Sequence, residues 1–272
     1  MAGPNSIKCE KLSRLIGTAA APVVIDVRTS EDFAMAPLLV PSSLRRKAEE
    51  VVNWGSEFSG RSAVVICHSG AKLSEGTAAW LRQLGCDAIS LEGGFLEWQR
   101  AGLPLVPEAK IPPRDEKGRT VWVTRARPKI DRIACPWLIR RFVDPQAVFL
   151  FVTATEVAGV GENFEATPFD IEGTYWSHRG ELCTFDVMVE EFCLGSEPLL
   201  QLAKIVRAAD TGRLDLVPEA AGLLAASLGL SRIYSDDLEQ LEAGMGLYDA
   251  FYRWCRDATD EAHNWPSNKV KP

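Results

Sequence analysis

Hydrophobic positions fall into two regimes along the chain. In the N-terminal part, short apolar runs alternate with helical periodicity. APVVIDVR at 21–28 is a β-branched run that ends in polar residues. SAVVICHSG at 62–70 is apolar without a break up to its cysteine, as expected of a strand buried on both faces. SEGTAAWLRQLG at 74–85 has apolar residues at helical spacing and closes on Gly85, suited to the left-handed position after a helix. DAISLEGG at 87–94 predicts a third strand, and FLEWQRAG at 95–102 a short helix ended by Gly102. Strand and helix in alternation predict a parallel sheet with helices packed on it.

The pattern breaks at 107–119, PEAKIPPRDEKGR, where prolines and mixed charges carry no apolar period. This predicts a linker over 108–118 between one domain at 8–107 and a second at 119–268. The second opens with a strand (TVWVTR), a helix (IDRIACPWLIRRF), a strand (AVFLFV) and a further strand-like stretch (TYWSHRG). Three long amphipathic segments follow: EPLLQLAKIVRAAD, PEAAGLLAASLGL and DDLEQLEAGMGLYDAFYRWCRD. The expected fold is α/β throughout, with a mainly helical C-terminal half in the second domain. Gly222, Gly229, Gly244 and Gly246 predict close helix packing. Met245, Tyr248, Phe251 and Trp254 predict core.

Composition narrows the function. With 272 residues and 46% hydrophobic content the chain can bury two modest cores. A net charge of −7 disfavours nucleic-acid or anionic-membrane binding, which use clustered Lys and Arg. No stretch approaches the roughly 20 apolar residues of a membrane span, and MAGPNSIKCEKLSRLIG does not read as a secretory signal. The expectation is a cytoplasmic protein with no membrane partner. Seven scattered cysteines (9, 67, 86, 135, 183, 193 and 255) are odd in number and argue against a disulfide framework.

One loop carries candidate chemistry. Cys67 ends an apolar run, and His68, Ser69, Gly70, Ala71 and Lys72 lead into the next helix. A strand-to-helix loop lies at the carboxyl edge of a parallel sheet, where its N–H groups and the helix N-terminus form a cradle for an anion. A cysteine inside such a cradle is expected to be a nucleophilic thiolate. Taken alone, a single cysteine at a strand end is more often a small buried hydrophobe.

Residues 10–106 resemble a rhodanese domain. The resemblance rests on VVIDVRTSEDF, on the Cys-x-x-Gly-x-basic loop at Cys67–Lys72, and on LEGGFLEWQRAGLPL with its Gly-Gly pair, Trp98, Gly102 and Pro104. It implies that Cys67 is the catalytic residue and carries a persulfide. It also implies that Asp26 and Arg28, matching the family's Asp-x-Arg, form a structural ion pair supporting the loop. Lys72 stands where the family usually has arginine, and lysine lacks the planar fork that grips an oxyanion at two points. Arg45 and Arg46, in VPSSLRRK, read as a solvated basic turn, with a place lining the cleft as the alternative.

The second domain concentrates polar residues in two stretches. RPKIDRIACPWLIRR places Asp131 and Cys135 on one helix face, beside Arg132, Arg140 and Arg141. WSHRGELCTFD holds His178, Glu181, Cys183 and Asp186, and Asp210 follows in RAADTGR. Asp131, His178 and Cys183 would make a metal site for iron or zinc. The alternative reading pairs Asp131 with an arginine, buries Cys135 and Cys183, and uses Asp186 as a helix cap.

From about 119 to 266 the sequence resembles the C-terminal domain of ChrB-type chromate-resistance proteins. The match runs through TRARPKIDRIACPWLIRRFVDP, HRGELCTFDVMVEEF, RAADTGRLDLVPEAAGLLAASLGLSR and the final amphipathic segment. The resemblance implies a link to chromate resistance. Some members are regulators with a DNA-binding segment ahead of this domain, a place taken here by the rhodanese-like domain, so nucleic acid is not an expected partner. Chromate is a tetrahedral dianion shaped like sulfate and close to thiosulfate. The two resemblances together imply a chromate-resistance-associated sulfurtransferase acting on a small inorganic anion, with a non-catalytic oxyanion sensor or scaffold, or a metal-dependent redox protein centred on Asp131, His178 and Cys183, as the alternatives.

Overall fold

The computed structural model describes residues 5–261. The start of the N-terminal segment and the expected end of the second domain at 262–268 lie outside the described residues.

The first half contains strands β1 (Ser6–Ile7), β2 (Val23–Asp26), β3 (Leu38–Leu39), β4 (Ser43–Arg45), β5 (Ser62–Ile66), β6 (Asp87–Leu91) and β7 (Val106–Pro107). Five of them form a parallel sheet in the order β1-β6-β5-β2-β4, and β3 pairs with β7 antiparallel. Helices α1 (Cys9–Leu15), α2 (Ser30–Met35), α3 (Val51–Trp54), α4 (Lys72–Gln83) and α5 (Gly94–Arg100) flank the sheet. The unbroken apolar run of β5 has the expected cause, because each face of the sheet has its own core. Val64 and Ile66 join the cluster around Leu12, Phe95 and Trp98. Ala63 and Val65 join the cluster around Trp54, Phe58 and Leu81. Gly85 and Gly102 both take positive φ just past a helix, and the Trp98 indole N–H donates to the Pro104 carbonyl at 2.8 Å.

The second half has a three-stranded parallel sheet made of β8 (Val121–Arg125), β9 (Val148–Val152) and β10 (Thr167–Pro168), in the order β10-β8-β9. Helix α6 (Asp131–Leu138) contains Pro136 and widens into a π turn at Ile139–Val143. A proline removes one rung of the helical ladder, and a change of register nearby accommodates it. Then come α7 (Val157–Asn163), α8 (Thr184–Glu191), α9 (Glu197–Asp210), α10 (Glu219–Ile233) and α11 (Asp237–Asp257). Among the described residues no helix is long and apolar enough to cross a membrane.

Two expectations need correction. TYWSHRG is not a strand: Trp176 makes one bridge to Phe169, and Gly173 and Gly180 at positive φ fold the flanks into turns. Of the four glycines in the helical tail only Gly244 packs closely, with Ile133 Cγ2 2.5 Å from where a Cβ would sit, while the other three face open space. Met245 and Tyr248 are buried, and Phe251 and Trp254 pack partly buried against the same core. All seven cysteines are free thiols.

The two halves share one apolar core that runs from Leu12 and Ile16 to Phe142 and Tyr252. The segment between them is pinned at Lys110. Glu191 accepts from Lys110 Nζ at 2.5 Å, from the Tyr175 hydroxyl at 2.5 Å and from Arg179 Nη1. These bonds, Lys110 first, hold the Glu191 carboxyl down to about 2. A carboxyl lowered by folding stabilises above its ordinary value near 4.5 and loses that contribution as pH falls through about 2. Glu191→Gln is therefore expected to remove about 1 kcal/mol at neutral pH and to flatten the acid side of the stability curve. Urea unfolding of both chains from neutral pH to about pH 3 measures this; parallel curves would deny Glu191 the role.

Candidate functional site

Cys67 sits at the carboxyl end of the central strand β5, buried with 4% of its surface exposed. The loop turns back over it, so that the Ala71 amide donates to Cys67 Sγ at 3.3 Å and Ser74 Oγ lies 3.2 Å from the sulfur. Lys72 opens α4 and is exposed, as are Ser69 and Ala71. Ala71 supplies no side-chain cap, so the first-turn amides of α4 are open to an anion. His68 is half-buried, and its Nδ1 has no partner among the described residues.

The second glycine motif forms the floor of this loop. Gly70, Gly93 and Gly94 all take positive φ, at 70°, 68° and 59°. A Cβ on Gly70 would lie 2.5 Å from the Gly94 nitrogen, and a Cβ on Gly94 would lie 2.3 Å from the Cys67 carbonyl oxygen. The Phe95 amide donates to the Cys67 carbonyl at 2.9 Å and the Leu96 amide to the His68 carbonyl at 3.0 Å. The spacing of Cys-x-x-Gly from Gly-Gly thus describes two backbone segments in van der Waals contact.

Asp26 and Arg28 form the expected ion pair. It is buried, with Arg28 Nη2 to Asp26 Oδ2 at 2.6 Å. Arg28 also donates to the carbonyls of Ala36 and Leu38 and lies 3.8 Å over the Phe95 ring. It therefore ties the sheet to the residue that holds the Cys67 carbonyl. Arg45 is not a solvated turn residue. Its guanidinium stacks 3.8 Å over Phe33, and burial pulls its pKa down. Arg46 pairs with Glu57.

A second polar cluster lies at the carboxyl edge of the β8 sheet. His178 Nε2 stands 3.5 Å from Asp131 Oδ2, 3.6 Å from Asp170 Oδ1 and 3.3 Å from Asp210 Oδ2. Asp131 opens α6, Asp170 follows β10, and Asp210 ends α9. The Thr184 amide, first in α8, donates to Asp131 Oδ2 at 2.6 Å, and the Thr184 hydroxyl donates to Asp170 Oδ1 at 3.0 Å. Arg132 and Arg125 pair with the other Asp170 oxygen. The carboxylates, Asp131 first through its hydrogen bond, lift His178 to about 9. Burial, then the charges of Asp131 and Asp170, push Asp210 up to about 7.

The structure brings Asp131, His178 and Asp210 together and leaves Cys183 out. Cys183 is the N-cap of α8, and its amide donates to Asp186 in a capping box. Burial raises the Cys183 and Cys135 thiols well above their ordinary value. Asp186 is therefore a capping residue held by Arg207, and Glu181 is exposed. Asp131 meets a histidine and an amide rather than the expected arginine. Asp170 has no sequence signal: a lone Asp after Pro-Phe enters the cluster only because β10 pairs with β8 and a positive φ of 53° turns the chain there. Ile130, just before Asp131, has φ 38°, strained for a β-branched residue.

Known proteins divide in the same way. A family model for the rhodanese-like domain matches residues 9–101, and one for "ChrB, C-terminal domain" matches residues 122–255. The chain joins a rhodanese-like domain to a ChrB C-terminal domain. Protein ChrB of Cupriavidus metallidurans is 35% identical over 156 residues, 56% of this chain and 46% of that protein. The chain thus spans about half the length of that relative. A sulfurtransferase of Allochromatium vinosum is 29% identical over 103 residues, 38% of this chain and 94% of its own. Among solved structures, a rhodanese-related protein from Thermoplasma volcanium is 27% identical with a TM-score of 0.34, covering 38% of this chain and 99% of its own. The Cys67 loop lies inside the rhodanese-like domain, and the His178 cluster inside the ChrB C-terminal domain.

Proposed function

We propose that the rhodanese-like domain is a sulfurtransferase in which Cys67 carries a persulfide, serving a protein linked to chromate resistance. The observation that carries this reading is the Ala71 amide 3.3 Å from Cys67 Sγ in a loop braced by Gly93 and Gly94. An N–H aimed at the sulfur can donate a hydrogen bond to the sulfur that attacks the donor and later carries the persulfide. The thiol first loses its proton to solvent. The thiolate then attacks the outer sulfur of thiosulfate, a sulfur–sulfur bond forms to Cys67, and the bond to sulfite breaks with its electron pair leaving on sulfite. An acceptor nucleophile later takes the outer sulfur and returns Cys67 as thiolate. Lys72 and the first-turn amides of α4 supply the positive potential that a dianionic donor needs. The link to chromate comes from the ChrB C-terminal domain and from the shared tetrahedral dianion chemistry of chromate, sulfate and thiosulfate.

The test is the intact mass after incubation with thiosulfate, beside Cys67→Ser. The wild type is expected to gain one sulfur atom that a reductant removes, and the variant to gain none. A wild type that stays at its original mass ends the proposal.

A further inference from the structure

We propose that His178, Asp131 and Asp170 hold one divalent transition-metal ion in the ChrB C-terminal domain, with Asp210 beside them. An imidazole Nε2 donates at most one hydrogen bond, whatever its protonation. Three carboxylate oxygens nevertheless stand around that nitrogen, at 3.3, 3.5 and 3.6 Å. The ligand atoms of Asp131, Asp170 and His178 all lie within 4.8 Å of one another. Four ligands at about 2.1 Å from a common centre in tetrahedral geometry stand about 3.4 Å apart, and octahedral neighbours about 3.0 Å. The His178 separations have the size of such a polyhedron, with Asp131, Asp170 and His178 forming the compact set and Asp210 standing beside it.

Asp131 gives the second, independent observation. It is fully buried, and its Oδ1 has no hydrogen-bond partner among the described residues while Oδ2 faces His178. A buried carboxylate with one oxygen unmatched is destabilising unless something supplies the missing contact. A cation between the carboxylates supplies it. The surrounding groups already do what outer partners of a metal site do. The Thr184 amide fixes Asp131, and the Thr184 hydroxyl with Arg132 and Arg125 fixes Asp170.

One nitrogen and the carboxylate oxygens select manganese(II), iron(II) or zinc(II) over a thiolate-seeking ion. The site is separate from Cys67, so its failure and that of the sulfur carrier are read independently.

The test uses the full chain, freed of metal by chelator dialysis and titrated with manganese(II) and with zinc(II). Free manganese is followed by its electron paramagnetic resonance signal, and zinc by equilibrium dialysis. Wild type is expected to take up one equivalent of at least one ion. His178→Ala and Asp170→Asn, both checked for an unchanged circular dichroism spectrum, are expected to bind it at least tenfold more weakly, on the order of a lost ligand. Uptake of neither ion by wild type, or wild-type affinity in a folded His178→Ala, overturns the assignment.

Discussion

Gly94→Ala is expected to unfold the Cys67 loop without altering any reactive group. Gly94 holds φ 59°, where an alanine is strained. Its Cβ would also meet the Cys67 carbonyl oxygen at 2.3 Å and the Gly70 nitrogen at 2.4 Å. Both obstacles are backbone, so no side chain can swing aside. The added methyl forces the loop away from α5 and breaks the Phe95 and Leu96 amide bonds that hold the Cys67 and His68 carbonyls. Strain and overpacking together cost about 3–5 kcal/mol, a fall of roughly 10 °C in melting temperature for a chain of this size. Sulfur loading should fall with it, because the Ala71 amide no longer reaches Cys67. Gly102→Ala is the control, since that glycine also has positive φ but has open space around it. It is expected to lower stability by only about 1 kcal/mol and to leave loading intact. Equal melting temperatures for Gly94→Ala and wild type would show that the two glycine segments do not brace each other.

The same contact explains what could be read from the sequence. Period and breakers predicted the central strands β2, β5 and β6 because these are long enough to show their burial, and because Gly85 and Gly102 end helices in the ordinary way, whereas two-residue β1 and three-residue β4 join the sheet with no pattern of their own. The Cys67 loop was legible because its residues are consecutive. The second site was legible only in part, for a physical reason. His178, Asp131 and Asp210 are spread over three elements, and polar density drew attention to each. Asp170 reaches them through the pairing of two-residue β10 with β8, a contact with no local pattern. Cys183 misled because a thiol beside His and Asp in sequence resembles a ligand, whereas its place as N-cap of α8 turns it into the core. TYWSHRG misled because aromatic residues between turns imitate a strand. In this chain Tyr175 is exposed beside Lys110 and Glu191, and Trp176 is buried against Trp122 and Phe192.

Arg28→Met is expected to be as damaging as Gly94→Ala, by a different route. Asp26 and Arg28 are both buried, and Arg28 Nε and Nη2 together bond both Asp26 oxygens. Removing the cation leaves a buried carboxylate with one hydrogen-bond donor, the Arg28 backbone amide at 2.9 Å, and a looser contact to Arg45 Nη1 at 4.0 Å. Breaking a buried pair in this way costs about 3–5 kcal/mol, more than the intact pair itself contributes. The carbonyls of Ala36 and Leu38 lose their donors as well, and Phe95 loses the guanidinium stacked on it. The double variant Asp26→Leu/Arg28→Met separates these effects. Removing both charges deletes the unmatched carboxylate and leaves only the two orphaned carbonyls, so it should recover about half of the lost stability. Sulfur loading should recover in the same proportion, because Arg28 bonds Asp26 and the Ala36 and Leu38 carbonyls rather than the loop at 67–72, and so supports the sulfur carrier through stability. A double variant as unstable as Arg28→Met alone would mean that the carbonyl contacts, not the charge pair, are what the arginine supplies. A double variant that is stable yet cannot load sulfur would instead place Arg28 among the residues that position Cys67.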